Sequence, residues 1–494
     1  MNAKVTVDVR KAGPKIDPKI FGHFLENMAK SLYQGGLLDA KGKARPEAVK
    51  ALNDMRVSCL RWPGGLFADG YHWTDGIGLN RPEKPNLFWK KYGPWIGPSD
   101  PNHFGTDEFL SLCRDLSAEP YININLAKGT PTEAADWVQY CNGAPETPWG
   151  KKRAENGRTK PWDVRIWGIG NEQFGFWAYG HSDPSNYAKR YLQFERLMRE
   201  QSPEITPVVV GACDLWPNWN PIVLSRIEGQ AAYLSLHVYL PSTNKPQYLV
   251  MRIPGNQKSH YSLASAYLEL DRKLRFVAGQ MQSVLGENHR MKIALDEWNL
   301  WWWFLQIYQV FWRMRDAVSV AGMVGTLVDH CEVVSLANLA QAFNVLGLLQ
   351  TNAGQIVKTP PWYVMQMFAS TLVGHRIPCE VEGPTYFSKK LGAIPAARKA
   401  PLVSAHAATN GHRVGITLIQ RRYEAPMRIE LECPGVHFNR LLLLKGPHPD
   451  ARNTFDKPDE VGVSEVEIKD GKGGFSVELP PASIAAVVGT MVGK

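Results

Sequence analysis

Short apolar segments alternate with longer amphipathic segments along the first three quarters of the chain. Eight short segments are rich in β-branched or aromatic residues and end in polar groups, which predicts buried strands: Ile20–Glu26, Val57–Pro63, Pro120–Asn125, Val164–Glu172, Pro207–Ala212, Tyr233–Tyr239, Lys292–Glu297 and Val333–Asn338. Helical periodicity lies between them, at Thr106–Leu116, Thr132–Cys141, Pro184–Gln201, Leu263–Gly286 and Arg313–His330. Eight strand–helix units over about 350 residues predict an α/β fold, a (β/α)8 TIM barrel, although a doubly wound sheet also alternates in this way.

The pattern changes after Gly374. Ile377–Pro384 carries two prolines and alternating acids, which predicts a linker. Beyond it we expect only strands and turns, with a hairpin at Asn410-Gly411 and strands at Leu402–Ala408, Arg413–Gln420, Met427–Leu431, Val436–Leu444, Val463–Ile468, Phe475–Leu479 and Ser483–Val488. This texture predicts a C-terminal β-sandwich. A further strand at Val5–Val9 is expected to pair with the first barrel strand.

Composition supports a folded protein with a large core. The chain has 494 residues, 44% hydrophobic and 21% charged, which argues against disordered and fibrous classes. A net charge of +9 is a mild bias at this length. The densest basic run, Lys151–Lys160, is interpreted as a solvated loop, so no nucleic-acid partner is expected.

Cysteines and apolar runs bear on location. The seven cysteines are scattered without a CxxC pair, which favours reduced thiols. Met1–Arg10 contains no apolar core of a signal peptide, so a cytoplasmic location is expected, although a trimmed secreted chain would look the same. The longest apolar run, Leu300–Trp312, is too short to span a bilayer, and no membrane partner is expected.

The predicted strands end in groups that can do chemistry. In a barrel, the active site lies at the carboxyl ends of the strands. These ends carry carboxylates, amides, one Arg, one Tyr and one His: Glu26, Arg61, Asn123, Asn125, Asn171, Glu172, His237, Tyr239, Glu297, Asn338 and Gln341. Such a ring is suited to a polar ligand with many hydroxyl groups, and His237 is a candidate for binding it.

Two of the carboxylates lie on opposed strands. Glu172 ends the fourth strand and Glu297 the seventh, so the two can face each other across the barrel mouth. Glycoside hydrolysis needs such a pair: one acid to protonate the leaving oxygen, and one ionised group to attack the anomeric carbon or activate water. Arg61 can keep Glu297 ionised and Tyr239 can orient it. Asn171 can bond a sugar hydroxyl beside the reacting carbon.

Other chemistries lack their motifs. There is no HExxH, GxSxG or P-loop, and the Gly168–Gly170 pair lacks the third glycine of a dinucleotide fingerprint. No metal or cofactor is therefore expected. The aromatic cluster Trp301–Phe304 is predicted to belong partly to the core and partly to a wall that contacts sugar.

Nine stretches together resemble the α-L-arabinofuranosidases of glycoside hydrolase family 51. In chain order they are FGHFLEN (Phe21–Asn27), RWPGG (Arg61–Gly65), YHWTDGIG (Tyr71–Gly78), FGTDEFL (Phe104–Leu110), EPYIN (Glu119–Asn123), DWVQYCNG (Asp136–Gly143), WGIGNE (Trp167–Glu172), DEWN (Asp296–Asn299) and ANLAQAFNVL (Ala337–Leu346). The resemblance implies a barrel over residues 17–376. It also implies a jelly-roll-like β-sandwich from residues 1–16 and 377–494, which takes in the N-terminal strand.

The resemblance also implies roles for individual residues. Glu172 matches the general acid/base and Glu297 the nucleophile of a retaining, exo-acting enzyme. The remaining matches bind the sugar, hold the nucleophile or form aromatic walls: Glu26, Asn171 and Gln341; Arg61 and Tyr239; Trp95 and Trp301. Family members need no cofactor and are commonly hexamers, so we expect a homo-oligomer that acts on arabinose-containing oligo- or polysaccharides.

One position departs from the family pattern. Leu66 stands after RWPGG, where the family usually has Cys or Asn near the sugar. The leading hypothesis is an α-L-arabinofuranosidase acting on arabinan, arabinoxylan or arabino-oligosaccharides. The alternative keeps the mechanism and changes the sugar, to a β-D-galactofuranosidase, β-xylosidase or endoglucanase. A non-catalytic carbohydrate-binding protein is disfavoured, because both carboxylates and their supporting residues are present.

Overall fold

A computed structural model describes residues 1–213, 215–242, 257–301, 311–352, 354–468 and 471–492. After β1 (Asn2–Val7), eight parallel strands close into a barrel: β2 (Gly22–Phe24), β3 (Cys59–Trp62), β4 (Glu119–Ile124), β5 (Ile166–Ile169), β6 (Thr206–Val210), β7 (Tyr233–Pro241), β8 (Lys292–Trp301) and β9 (Val334–Leu339). The pairing of β2 with β9 completes the ring. The predicted eight-stranded barrel is confirmed.

Helices surround the barrel: α1 (Pro46–Asp54), α2 (Thr106–Leu116), α3 (Pro131–Asn142), α4 (Pro148–Glu155), α5 (Pro184–Gln201), α6 (Trp219–Ile227), α7 (Gln257–Ala264), α8 (Ala266–Leu285), α9 (Met314–Asp329) and α10 (Pro360–Thr371). Short 3-10 turns lie in the connections, among them Ala68–Gly70, Trp73–Gly76 and Trp89–Tyr92. Side chains of Thr130, Thr147 and Asp183 cap α3, α4 and α5, each before a proline in the first turn. The helix predicted over Leu263–Gly286 corresponds to α8, and the short helix α7 directly precedes it.

The basic run around α4 is not the solvated loop that the sequence suggested. Lys151 and Lys152 are exposed, but Arg153 is completely buried. Its guanidinium donates to the backbone carbonyls of Tyr140 at 2.7 Å and of Gly143 and Thr159 at 2.9 Å. Arg153 therefore ties α3 to the loop that follows α4.

The C-terminal region is a two-layered β-sandwich. After the hairpin β10 (Leu349–Thr351) and β11 (Ile356–Lys358), and beyond α10, come β12 (His375–Ile377), β13 (Cys379–Glu382), β14 (Thr385–Ser388), β15 (Ala397–Pro401), β16 (Val403–Thr409), β17 (Arg413–Gln420), β18 (Met427–Lys445), β19 (Gly462–Glu467), β20 (Lys472–Leu479) and β21 (Ser483–Met491). The first half of β18 pairs with β1 and β20, and its second half pairs with β19 and β21. This one long strand therefore passes from one layer to the other.

Two predictions about this region were wrong. β1 pairs with β13 and β18, not with the first barrel strand, because Val5 and Val7 are completely buried in the sandwich core. The stretch interpreted as a linker contains the strand β13, which pairs with β1. The membership of β1 agrees with what the family resemblance implied. The boundaries 17–376 and 377–494 stay a prediction.

The two regions pack closely against each other. Helices α9 and α10 of the barrel contact β17 and β21 of the sandwich. Gly325 of α9 lies against His406 of β16, where a Cβ atom would come within 2.1 Å of the imidazole. Within the described ranges, no helix is both long and apolar enough to cross a membrane.

Candidate active site

The carboxyl ends of the barrel strands bring Glu297 and its predicted partners together. Glu297 lies on β8, and its Oε1 accepts a hydrogen bond from Arg61 of β3 at 2.8 Å. Its Oε2 accepts one from the hydroxyl group of Tyr239 of β7 at 2.9 Å. Arg61 and Tyr239, which lie on two other strands, therefore hold one carboxylate oxygen each, as predicted from the sequence.

Arg61 is fixed by a second carboxylate, Asp296. The guanidinium is 1% exposed, and its Nε lies 3.6 Å from Asp296 Oδ2. Hydroxyl groups of Tyr121 and Ser235 donate to Asp296 at 2.7 and 2.6 Å. Burial raises the pKa of Asp296, but the charges of Arg61 and His237 and the hydrogen bonds with His237 and Ser235 together outweigh it and lower that pKa to about 2. Asp296 therefore stays ionised and holds Arg61 in place; the sequence analysis assigned it no role.

Glu172 is positioned by its loop rather than by a strand. It follows β5 with a positive φ of 55°, after Gly170 at φ 101°. Its Oε1 lies 2.8 Å from Nδ1 of His237, and its Oε2 accepts a hydrogen bond from the indole of Trp177 at 2.5 Å. The sequence analysis missed Trp177. The only signal was its position five residues after Glu172, which no periodicity marks.

Glu172, His237 and Glu297 form one proton-sharing network. Burial alone would lower the pKa of His237, but the charge of Glu297 and the contacts with Asp296 and Glu172 raise it to about 10. Burial alone would raise the pKa of Glu172, yet the hydrogen bond and charge of His237 lower it. Burial and the charge of Glu172 raise the pKa of Glu297, against the opposing charges of His237 and Arg61. Of the three groups, His237 is therefore the one whose environment most favours the protonated form.

The same three side chains could reach a metal ion in geometric terms. One ligand atom from each lies within 4.8 Å of the others. However, Arg61 and Tyr239 already donate to Glu297, and Trp177 donates to Glu172. A guanidinium in contact with one carboxylate also disfavours a second cation there. We therefore interpret the cluster as acid–base machinery.

Glu26 lies at one side of the site, where three groups donate hydrogen bonds to its carboxylate and a fourth group holds one of those donors. Its Oε1 accepts from the backbone N–H of Phe67 at 2.9 Å and from the indole of Trp89 at 3.0 Å, and its Oε2 accepts from Gln341 at 3.1 Å. The hydroxyl group of Ser31 in turn donates to Gln341 at 2.6 Å. Burial and the charge of Glu297 raise the pKa of Glu26 to about 7. Trp89 is another partner that the sequence analysis missed.

Glycines let the chain pass close to both carboxylates. A Cβ atom on Gly64 would lie 2.5 Å from Cγ of Glu26, and one on Gly65 would lie 2.4 Å from Oε1 of Glu297. The half-buried Leu66 comes directly after this pair and directly before Phe67, whose N–H bonds Glu26. Leu66 therefore lies in the segment that touches both acids.

Asn171 offers an unused donor. Its Oδ1 accepts from Arg61 at 2.6 Å, whereas its buried Nδ2 has no hydrogen-bond partner among the described residues. Because an unpartnered buried amide is costly, this group is suited to donate to a bound ligand.

The aromatic residues predicted as walls differ in position. Trp301 packs edge-on against Tyr239 at a centroid distance of 5.2 Å, beside the Glu297 cluster. Trp95 is 58% exposed on the loop between β3 and α2, and its role as a wall stays a prediction. The predicted cluster partners 302–304 lie outside the described residues. Asn123, Asn125 and Asn338 bond backbone carbonyls of Gly64, Tyr71 and His23, so they support loops and strands.

Two family models of known proteins match this chain, one in each half. Family models described as the alpha-L-arabinofuranosidase 1 domain and the alpha-L-arabinofuranosidase C-terminal domain match residues 51–248 and 296–483. A protein of Bacteroides ovatus, named an intracellular exo-alpha-L-arabinofuranosidase, is 29% identical over 98% of this chain and 95% of its own.

Solved structures agree over the full length. The GH51 alpha-L-arabinofuranosidase from Thermotoga petrophila is 30% identical, with a TM-score of 0.86 over 98% of this chain and 99% of its own. The arabinose complex of the alpha-L-arabinofuranosidase from Thermotoga maritima is 29% identical, with a TM-score of 0.88 over 99% of this chain and 100% of its own.

Proposed function

The chain belongs to glycoside hydrolase family 51, and on that basis we propose that it is a retaining, exo-acting α-L-arabinofuranosidase. It removes terminal non-reducing α-L-arabinofuranosyl residues from arabinan, arabinoxylan or arabino-oligosaccharides. The observation that carries this proposal is the pair Glu172 and Glu297, which have oxygen atoms within 4.8 Å of each other. Retaining glycosidases separate their carboxyl groups by about 5–5.5 Å, and inverting ones by about 6.5–9.5 Å.

In the first step Glu297 acts as the nucleophile. Its carboxylate oxygen forms a bond to the anomeric carbon while the bond from that carbon to the leaving oxygen breaks. The leaving oxygen takes a proton from Glu172. Because Nδ1 of His237 lies 2.8 Å from Oε1 of Glu172, a proton on His237 can pass to Glu172. Arg61 and Tyr239 keep Glu297 oriented for the attack.

In the second step the roles reverse at Glu172. As a carboxylate, it takes a proton from water, whose oxygen then attacks the anomeric carbon and breaks the ester bond to Glu297. Two inversions give net retention. Glu172 thus donates and accepts one proton in each cycle, and Glu297 returns to the ionised state.

Sugar recognition is assigned to the groups beside the two acids. Asn171, through its unused Nδ2, and Glu26 with Gln341 bind the hydroxyl groups of the arabinofuranose. Trp301 supplies an apolar surface. Leu66 is the position at which the choice of sugar is tested.

A panel of aryl glycosides tests the proposal. We expect turnover of 4-nitrophenyl α-L-arabinofuranoside well above that of the β-D-galactofuranoside, the β-xyloside and the β-glucoside. Proton NMR of the first product should show the retained α-anomer. A preference for another glycone would favour the alternative sugar, and an inverted first product would contradict the mechanism.

Location and assembly can each be tested by a direct measurement. We propose an intracellular enzyme, on the strength of the name of the Bacteroides ovatus relative. Fractionation of the producing cells tests it. A homo-oligomer, with a hexamer as the state common in the family, stays a prediction that sedimentation velocity can check.

A further inference from the structure

An aromatic ridge runs from Glu172 to the protein surface. We define it as Phe174, Phe176, Trp177 and Trp216. Trp177 bonds Glu172 with its indole N–H, and its ring centroid lies 4.9 Å from Phe176 and 5.7 Å from Trp216. Phe174 packs against Trp216 at 4.6 Å and is 7% exposed. The ridge is therefore rooted in the core at Phe174 and reaches the catalytic acid at Trp177.

Phe176 is the outermost member of the ridge. Its side chain is 81% exposed, although the ring lies edge-on to Trp177 at 77°. Single exposed apolar side chains are common on protein surfaces. What distinguishes Phe176 is its place on the ridge that begins at Glu172, with its ring open to a ligand.

The loop after β5, which carries Phe174, Phe176 and Trp177, is held by several contacts. Backbone N–H groups of Gly175 and Ala178 bond the carbonyls of Glu172 and Gly175 at 2.7 and 3.0 Å. The indole of Trp177 lies so close over Gly175 that a Cβ atom there would come within 2.4 Å of it. Lys91, from the facing loop, bonds the carbonyl of Trp177 at 3.5 Å. Phe176 is thus presented at a fixed distance from Glu172.

We propose that Phe176 is the stacking platform of a distal leaving-group subsite, where a sugar ring of the departing glycan lies on its face. The inference rests on the proposed role of Glu172 as the acid. The proton donor must contact the glycosidic oxygen, so the leaving glycan begins at Glu172. Trp177 is in contact with Glu172, and Phe176 comes next along the ridge. A flat apolar ring matches the apolar face of a sugar. The proposed occupant of the subsite is therefore a neutral glycan chain.

Substrates of different length test this subsite. The variants are Phe176→Ala and Phe176→Tyr, with Phe387→Ala as the matched control. Phe387 is a second largely exposed phenylalanine, 60% exposed on β14, and it is not part of the ridge. For each variant, kcat/KM is measured on an aryl α-L-arabinofuranoside and on linear α-1,5-arabino-oligosaccharides of two to five residues.

We expect Phe176→Ala to lower the ratio of kcat/KM for the longest oligosaccharide to that for the aryl glycoside by roughly threefold to tenfold. The loss should appear chiefly in KM and only above a threshold chain length. Phe176→Tyr should restore the ratio, and Phe387→Ala should leave it unchanged.

Three outcomes would overturn the proposal. Equal losses on all substrates would mean that Phe176 only positions Trp177. An unchanged ratio at every length would mean that no sugar lies on Phe176. A change of oligomeric state in sedimentation would mean that the ring is a contact between copies of the chain. Failure of the proposed function would look different, since the unmodified protein itself would then turn over no arabinofuranoside.

Discussion

The two catalytic carboxylates at the barrel mouth are held in different ways. We call Glu297 with its donors the nucleophile corner, and Glu172 with its donors the acid/base corner. Glu297 lies on a strand, and its donors Arg61 and Tyr239 come from two other strands. Glu172 lies on a loop with positive φ, and one of its two donors, Trp177, belongs to the same loop. The nucleophile is therefore fixed by the barrel, whereas the acid/base is fixed partly by its own connection.

This difference fits the chemistry of each group. A nucleophile must stay ionised and aligned, and Arg61, which is fixed by Asp296, provides a permanent positive charge for it. An acid/base must gain and lose a proton in every cycle. His237, with its raised pKa of about 10, provides a partner that can hold the proton. Each prediction below perturbs one corner and compares it with the other.

The largest effect is expected at the nucleophile corner. Glu297→Ala removes the attacking carboxylate, so turnover should fall below about one thousandth of the original. Azide should not restore arabinose release. It should instead fill the space of the lost carboxylate and give an arabinofuranosyl azide of inverted configuration, which NMR of the product can identify. Activity within about tenfold of the original would contradict the assignment.

The acid/base corner should respond differently to the same change. Glu172→Ala should cost about 10²–10⁴-fold on natural arabino-oligosaccharides, whose leaving groups need protonation, and far less on 4-nitrophenyl arabinofuranoside. Azide should here attack the glycosyl-enzyme and give a product of retained configuration. Equal losses on both substrates, or an inverted azide, would argue against the acid role.

The pH profile separates the corners through His237. The charge of His237 lowers the pKa of Glu297. The pKa of His237 itself is raised to about 10, so we expect His237 to be the last of the three groups to lose its proton as the pH rises. In His237→Asn the proton resides on Glu172 alone, so the alkaline limb of kcat/KM should move to lower pH. Loss of the imidazolium charge should raise the pKa of Glu297 and move the acid limb to higher pH. We expect each limb to shift by about one pH unit or more.

A second buried histidine provides the control. His406 lies in the sandwich against Gly325, away from the barrel mouth. His406→Gln should leave both limbs where they are, even if it destabilises the fold. Limbs that stay unchanged in His237→Asn would remove His237 from the proton network.

The sequence predicted the nucleophile corner better than the acid/base corner, for a physical reason. Arg61, Tyr239 and Glu297 lie on the barrel strands β3, β7 and β8. The topology of a barrel brings the carboxyl ends of its strands together whatever the loops do. Trp177 and Trp89 lie in loops whose paths depend on close contacts such as that of Gly175 with an indole. Such contacts leave no periodic pattern. The strand β13 was missed similarly, because its partner β1 lies more than 370 residues away.

The smallest expected effect concerns Leu66, between the two corners. Its neighbours Gly65 and Phe67 touch Glu297 and Glu26, so its side chain is placed to influence the glycone. A Cys or Asn there can make a polar contact that Leu cannot. One neutral hydrogen bond contributes about 0.5–1.5 kcal/mol net, which is roughly a threefold to tenfold effect. We therefore expect Leu66→Asn or Leu66→Cys to change the ratio of kcat/KM for aryl arabinofuranoside and aryl galactofuranoside at least about threefold.

Leu79, which is fully exposed on the same loop, gives a matched control for this change. Leu79→Asn introduces the same polar group at a position that touches neither acid, so the ratio should not move. A ratio that stays constant in both Leu66 variants would mean that the Leu66 side chain packs away from the sugar. Selectivity would then rest on the hydroxyl-binding groups Glu26, Asn171 and Gln341. A shift in Leu66→Asn alone would instead locate a hydrogen bond, rather than side-chain volume, as the property that sets the choice of sugar.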